Sequence, residues 1–171
     1  MLIILIGRSG AGKSTFIEAM NCPENHYEIS GQVKQELKAK GLLVNHDAVQ
    51  PILHQCYTAN PYWQVPNILA TLRDKKFLIV DGPRSLPEVL RLRELYPNVL
   101  IIKIETTTSI RSDRLGVRDG ADANSFNRIE QDETHVTGLW ELLEMADLAI
   151  ENNGSLERLQ AIARKFRSLI D

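Results

Sequence analysis

Nine consecutive residues, Gly7-Arg8-Ser9-Gly10-Ala11-Gly12-Lys13-Ser14-Thr15, satisfy GxxxxGK[ST] at every fixed position and directly follow the apolar run Met1 to Ile6. The glycines leave room for backbone N–H groups to converge on an anion, and a helix beginning at their end would turn its positive dipole terminus toward it. Lys13 would reach the β- and γ-phosphates and Ser14 would ligate Mg²⁺. The chemistry this spacing serves is binding of a nucleoside triphosphate, with Gly7, Ser9, Gly10, Ala11, Gly12, Lys13, Ser14 and Thr15 around the phosphates.

Four other groups of residues could act on the same ligand. Phe77-Leu78-Ile79-Val80 ends in Asp81, which would stand beside Ser14 and hold the water shell of Mg²⁺; the competing reading is a turn aspartate before Gly82-Pro83. Arg84 follows on the rim where ligands bind in open parallel sheets. Arg111, Arg114 and Arg118 are spaced i, i+3, i+7, so on a helix they share one face, and Gly116, Gly120 and the polar run 119–125 would make the next segment mobile. Guanidinium forks closing over a transferring phosphoryl group would stabilise its charge and exclude water. The competing reading is a solvated face paired with Asp113 and Asp119. Asn152-Asn153-Gly154 lies on the same rim, either touching the nucleotide base through its backbone or serving only as a turn.

Other polar and aromatic residues have plainer roles. Glu88 follows Ser85 at capping-box spacing, so it is assigned to backbone donors and left outside the site. His26, His46, His54 and His135 show neither HxxH nor HExxH spacing and are assigned no chemistry. Tyr62-Trp63 could stack on a base, but packing under a loop is the commoner outcome for such aromatics. Cys22 and Cys56 lack CxxC spacing and are read as reduced thiols, which with the absence of a leader-like segment suits a cytoplasmic protein.

These residues need a scaffold, and 171 residues of which 43% are hydrophobic can supply one domain with one core. Apolar runs at Leu2 to Ile6, Phe77 to Val80, Val99 to Ile104 and Leu148 to Ile150 alternate with helical patterns, the signature of a parallel sheet covered on both faces. Tyr27 to Ser30 is a weaker fifth strand. A helix runs from Gln32 to Lys40, stopped by Gly41, while Pro51, Pro61 and Pro66 divide the stretch from Leu42 into short helices. Phe126, Ile129, Val136, Leu139, Leu142 and Leu143 form one apolar stripe to about Met145, and Ser155 caps a last helix through Ile170. Twenty Lys and Arg against 22 Asp and Glu leave a net charge of −2, which argues against a general nucleic-acid surface or an acidic membrane partner. No run approaches membrane-spanning length, and nothing specifies an oligomeric state.

Assembled, these residues resemble the adenylate-kinase-like P-loop kinases, and most closely the compact archaeal dephospho-coenzyme A kinase-like and adenylate-kinase-like group. Gly7 to Thr15 looks like their phosphate loop, Val80-Asp81-Gly82-Pro83-Arg84 like the Asp-Gly-(x)-Pro-Arg stretch of nucleoside monophosphate kinases, Arg111 to Arg118 like a short lid, and 146–150 with 153–157 like the group's C-terminal signature. The resemblance implies a three-layer α/β/α P-loop NTPase fold with a five-stranded parallel sheet in the order 2-3-1-4-5. It implies a core of residues 1–26 and 73–171, an acceptor-binding insertion at about 27–72 and a lid at about 111–125. It further implies ATP and Mg²⁺ as donor and metal, Lys13, Arg84, Arg111, Arg114 and Arg118 as catalytic groups, and transfer to a nucleoside or deoxynucleoside monophosphate. Acceptor binding would fall on Ser30, Lys34 and Arg84, but Gln32 and Gln35 stand where the family carries Asp and Arg, so Lys34 would replace the acceptor-phosphate arginine without its bidentate fork. That departure admits another acceptor, such as dephospho-coenzyme A or a nucleic-acid end. A nucleotide-binding regulatory ATPase is the rival from a different class.

Overall fold

A computed structural model describes residues 1–135 and 138–170, the side chains of Asp119, Thr134 and His135 apart. Strand β1 (Leu2–Ile6) lies at the centre of a parallel sheet, between β3 (Leu78–Asp81) and β4 (Val99–Glu105); β2 (His26–Glu28) lies beyond β3 and β5 (Leu148–Glu151) beyond β4. The order is therefore 2-3-1-4-5, and every pairing is parallel.

All five residues of β1 are buried, because helices cover both faces and its alternating side chains enter two different cores. Leu2, Ile4 and Ile6 meet helices α2 (Gly31–Ala39), α3 (His46–Ala59), α4 (Val65–Leu72), α5 (Leu86–Leu95) and α8 (Leu139–Glu144). Ile3 and Leu5 meet α1 (Lys13–Met20) and α9 (Leu156–Ile170). Each such fully buried side chain contributes about 1.5–3 kcal/mol, which makes β1 the anchor from which the phosphate loop departs. Helices α6 (Thr108–Asp119) and α7 (Ala123–His135) share a third, small cluster of Leu115, Phe126 and Ile129.

Two sequence expectations change. The prolines do not chop the insertion as finely as expected: α3 runs 14 residues with Pro51 inside it, capped by the Asn45 side chain, which accepts from Ala48 N at 2.9 Å. Pro51 removes one donor, the partner of the Asp47 carbonyl, early enough that the later turns continue. Pro66 sits at the start of α4, where its missing N–H has no intrahelical partner to lose. The apolar stripe from Phe126 is not one helix: Gly138 adopts φ 60° before α8, and Leu139 and Leu142 turn to the sheet while Phe126 and Ile129 face Leu115. Val136, expected in that stripe, lies outside the described residues. The segment expected to carry the lid holds Arg111, Arg114 and Arg118 on α6, the helix their spacing predicts, which ends at Gly120 (φ 66°) before α7 begins at Ala123.

Candidate active site

β1 delivers the chain to the phosphate loop at Gly7, where a side chain would stand 2.7 Å from the Ile104 carbonyl of β4, so only glycine passes. Gly12 closes the loop at the start of α1 with φ 107°, and an added Cβ there would also strike the Asn152 amide. Between these points the loop carbonyls are tied down. Lys13 Nζ donates to Gly7 O at 2.7 Å, Asn152 Nδ2 and Thr106 Oγ1 donate to Ala11 O at 2.7 and 3.0 Å, and Arg114 donates to Gly10 O at 3.2 Å and Asn152 O at 3.3 Å. The peptide unit is planar, so holding the Ala11 carbonyl on one side turns the Gly12 N–H to the other. Asn152 and Thr106 are absent from the motif. They reach the loop because β4 ends beside β1, and β5 beside β4, at the same rim of the sheet.

Ser14 and Asp81 line one cavity of ≈ 440 Å³ together with His26 and Glu28. Asp81 Oδ1 is buried without a hydrogen-bond partner among the described residues, and His26 Nε2 stands 3.9 Å from Oδ2. Burial pushes the Asp81 carboxyl up, opposed by Lys13 and His26. A hydroxyl and a carboxylate with one orphaned oxygen lining the same cavity beside the phosphate loop suit a hard cation that keeps part of its water shell, so the residues fit Mg²⁺. Burial pulls the Lys13 ammonium down, with Asp81 and Glu133 acting against it and Arg84 and the exposed Arg118 acting with it.

Arg84 lines a second cavity of ≈ 280 Å³ with His46, Asp47, His54, Tyr57 and Asp132. Both ring nitrogens of His46 are buried without hydrogen-bond partners among the described residues. Behind this cavity Glu88 is fully buried and accepts from Tyr57 OH at 2.9 Å and Gln64 N at 3.2 Å, and burial raises its pKa to about 7. Glu88 does serve a backbone donor, but one on another element, while Ser85 Oγ caps α5 by accepting from Glu88 N. Trp63 packs edge-on against Tyr57, with centroids 5.9 Å apart, and so is part of the cavity's support.

The structure brings Lys13, Ser14, Asp81 and Arg84 to one end of the sheet, sets Arg111 and Arg114 against the backbone of the phosphate loop, and leaves Ser30 and Lys34 apart from Arg84. Arg111 is 2% exposed and grips Glu130 with both terminal nitrogens at 2.5 and 2.8 Å, above the Phe126 ring. Arg114 braces loop carbonyls. Ser30 and Lys34 both turn to Glu28 at the end of β2, outside the Arg84 cavity. The expectation that Lys34 replaces an acceptor-phosphate arginine therefore meets an ammonium already paired with a carboxylate, Glu28, which holds its negative charge against the opposing effect of burial. The histidines were assigned no chemistry, yet His46 and His54 line the acceptor-sized cavity. Glu133, which no motif singles out, accepts from Ser9 N at 3.0 and 3.2 Å, from Ser9 Oγ at 2.7 Å and from the Arg84 guanidinium at 3.3 and 3.4 Å.

No family model matches the chain. A UPF0200 protein of Thermococcus kodakarensis is 28% identical, over 97% of this chain and 96% of that protein. Among solved structures, a gluconokinase from Sinorhizobium meliloti superimposes with a TM-score of 0.54 at 18% identity, over 98% of this chain and 91% of that one. A shikimate kinase from Acinetobacter baumannii, in complex with shikimate, gives 0.53 at 15% identity, over 99% and 92%. With the sheet order and the phosphate loop, these similarities define the fold as that of the P-loop kinases.

Proposed function

We propose that this chain is an ATP- and Mg²⁺-dependent phosphotransferase whose acceptor enters the cavity beside Arg84. The observation that carries this reading is the position of Arg84: it lines the acceptor-sized cavity while its guanidinium also reaches Glu133, which is hydrogen-bonded to Ser9 of the phosphate loop. One cation thus stands between the place for a donor and the place for an acceptor, as in-line transfer of a phosphoryl group requires.

In this scheme Lys13 and the loop amides hold the donor phosphates, and Ser14 and Asp81 would hold Mg²⁺, which when bound neutralises charge on the phosphate oxygens. Arg84 would orient the acceptor toward the γ-phosphate. Arg111 and Arg114 act as braces of the loop and α6, with Arg118 the member of the trio left near the surface. No covalent intermediate is needed, because positioning and charge stabilisation do the work.

The cavity supports a small hydroxyl-bearing acceptor better than a nucleoside monophosphate. Arg84 is the one Lys or Arg among the described residues lining it, whereas His54, Asp47 and Asp132 offer hydrogen bonds to hydroxyl groups. The names of the two kinase neighbours, for gluconate and for shikimate, point the same way. A nucleoside or deoxynucleoside monophosphate, the acceptor of the adenylate-kinase-like proteins, is the second reading. It rests on the Val80 to Arg84 stretch and would present its phosphate to Arg84 alone. Mg²⁺-dependent ATP consumption, measured against ribo- and deoxyribonucleoside monophosphates, dephospho-coenzyme A and small hydroxy acids and polyols, separates the two. Stimulation by one class in the wild-type chain, lost in folded Lys13→Ala, is the expected result. Acceptor-independent hydrolysis alone would favour a regulatory ATPase.

A further inference from the structure

The contact between Glu133 and the phosphate loop concerns the regulation of the proposed site and rests on the phosphotransferase reading above. Ser9 N–H, Ser9 Oγ and the Arg84 guanidinium are oxyanion ligands, and a carboxylate that is 1% exposed occupies them. Glu130, one helical turn earlier on α7, accepts from Arg8 at 3.2 Å and from Arg111 at 2.5 and 2.8 Å. Two carboxylates on one face of α7 thus dock the helix onto the loop and onto three arginines drawn from three parts of the chain.

We infer that Glu133 stands in for a substrate phosphate, and that its displacement by the donor is the step that releases Arg84 to the acceptor. A triphosphate oxygen on Ser9 N–H would meet the Glu133 carboxylate at contact distance, and two anions in a partly desolvated site repel strongly. The two cannot share Ser9 and Arg84. Arg84 remains committed to Glu133 until the donor binds, so an acceptor that needs Arg84 binds productively only after it. Glu133 is in this account a positioning residue: it touches neither reacting group and acts through Ser9 and Arg84. Against the opposing pull of burial, Arg84, the Ser9 hydrogen bonds and Lys13 keep the unliganded carboxylate ionised, so the loop is not left as an uncompensated cluster of donors and cations.

Calorimetric titration of Mg²⁺·ATP, and separately of inorganic pyrophosphate, into the wild-type chain, E133Q and E133D without acceptor tests this. Removing the competing charge should tighten both ligands about tenfold in E133Q, the scale of one lost charge-assisted hydrogen-bond group. E133D, which keeps the charge at a shorter reach, should fall between. Both variants should melt lower than wild type without ligand and show a larger ligand-induced rise, a pattern that a merely structural Glu133 would not give. Wild-type binding with unchanged or weaker affinity in the folded variants overturns the inference alone. Should E133Q fail to fold, the comparison of E133D with wild type decides it by the same criterion. Binding of neither ligand by any of the three chains overturns the phosphotransferase reading and this inference with it.

Discussion

Glu88→Gln should remove a pH dependence of stability that the wild-type chain carries through the neutral range. Glu88 is fully buried beneath the Arg84 cavity, with Tyr57 OH and Gln64 N as its partners. Burial raises its pKa from the ordinary 4.5 to about 7. Between those values the folded chain holds a proton that the unfolded chain has released, so stability falls as pH rises across that window. At roughly 1.4 kcal/mol per pH unit, the gap is worth about 3 kcal/mol by pH 8. Glutamine keeps the shape and an acceptor oxygen but never ionises. Urea or thermal unfolding of both proteins from pH 4 to pH 8 should therefore give nearly equal stabilities at the acid end. The variant should lead by roughly 6–12 °C in Tm at the alkaline end, taking about 2–4 °C per kcal/mol for a domain of this size. Subtracting the two curves cancels the histidines, which titrate in both. A difference that stays flat with pH would refute the reasoning, because Glu88 would then ionise as easily folded as unfolded.

Three further outcomes follow from the site. Asn152→Ala removes one of the two side chains on the Ala11 carbonyl; it should cost about 1–2 kcal/mol of stability and weaken ATP binding several-fold, both read by calorimetry. Asp81→Asn should leave the fold intact and weaken Mn²⁺ binding in the presence of ATP, followed by electron paramagnetic resonance; unchanged affinity would remove Asp81 from the metal site. Arg111→Leu should destabilise by about 2 kcal/mol, less than for an isolated buried pair because Glu130 retains Arg8. Wild-type stability with collapsed turnover would instead make Arg111 a group on the phosphates.

Legibility from sequence follows the range of the interactions. The phosphate loop, the four strong strands and the Ser85 cap were legible because each is written within a few consecutive residues: glycines at fixed spacing, apolar runs, a hydroxyl before a helix. Strand β2 has only three residues, so its signal was faint. What holds the loop was not legible. Asn152 is 141 residues from the Ala11 carbonyl it serves, and Glu133 is 124 residues from Ser9; topology, not local pattern, makes those pairs. The arginine spacing was read correctly as one helix face, but which partner each guanidinium meets depends on α7, whose carboxylates look from sequence like an ordinary solvated face. The partner of Lys34 was hidden for a related reason. Glu28, six residues away at the end of β2, pairs with its ammonium, a contact that no local pattern announces.

The central claim is that the phosphoryl group leaves ATP for a second molecule rather than for water. ³¹P nuclear magnetic resonance of the wild-type chain with Mg²⁺·ATP and each acceptor class distinguishes the two directly. The account predicts the resonance of a phosphorylated acceptor, a phosphoester for a hydroxyl acceptor or a phosphoanhydride for a monophosphate, rising in step with ADP for one acceptor, and none with folded Lys13→Ala. Inorganic phosphate as the sole product, whatever acceptor is supplied, would contradict it.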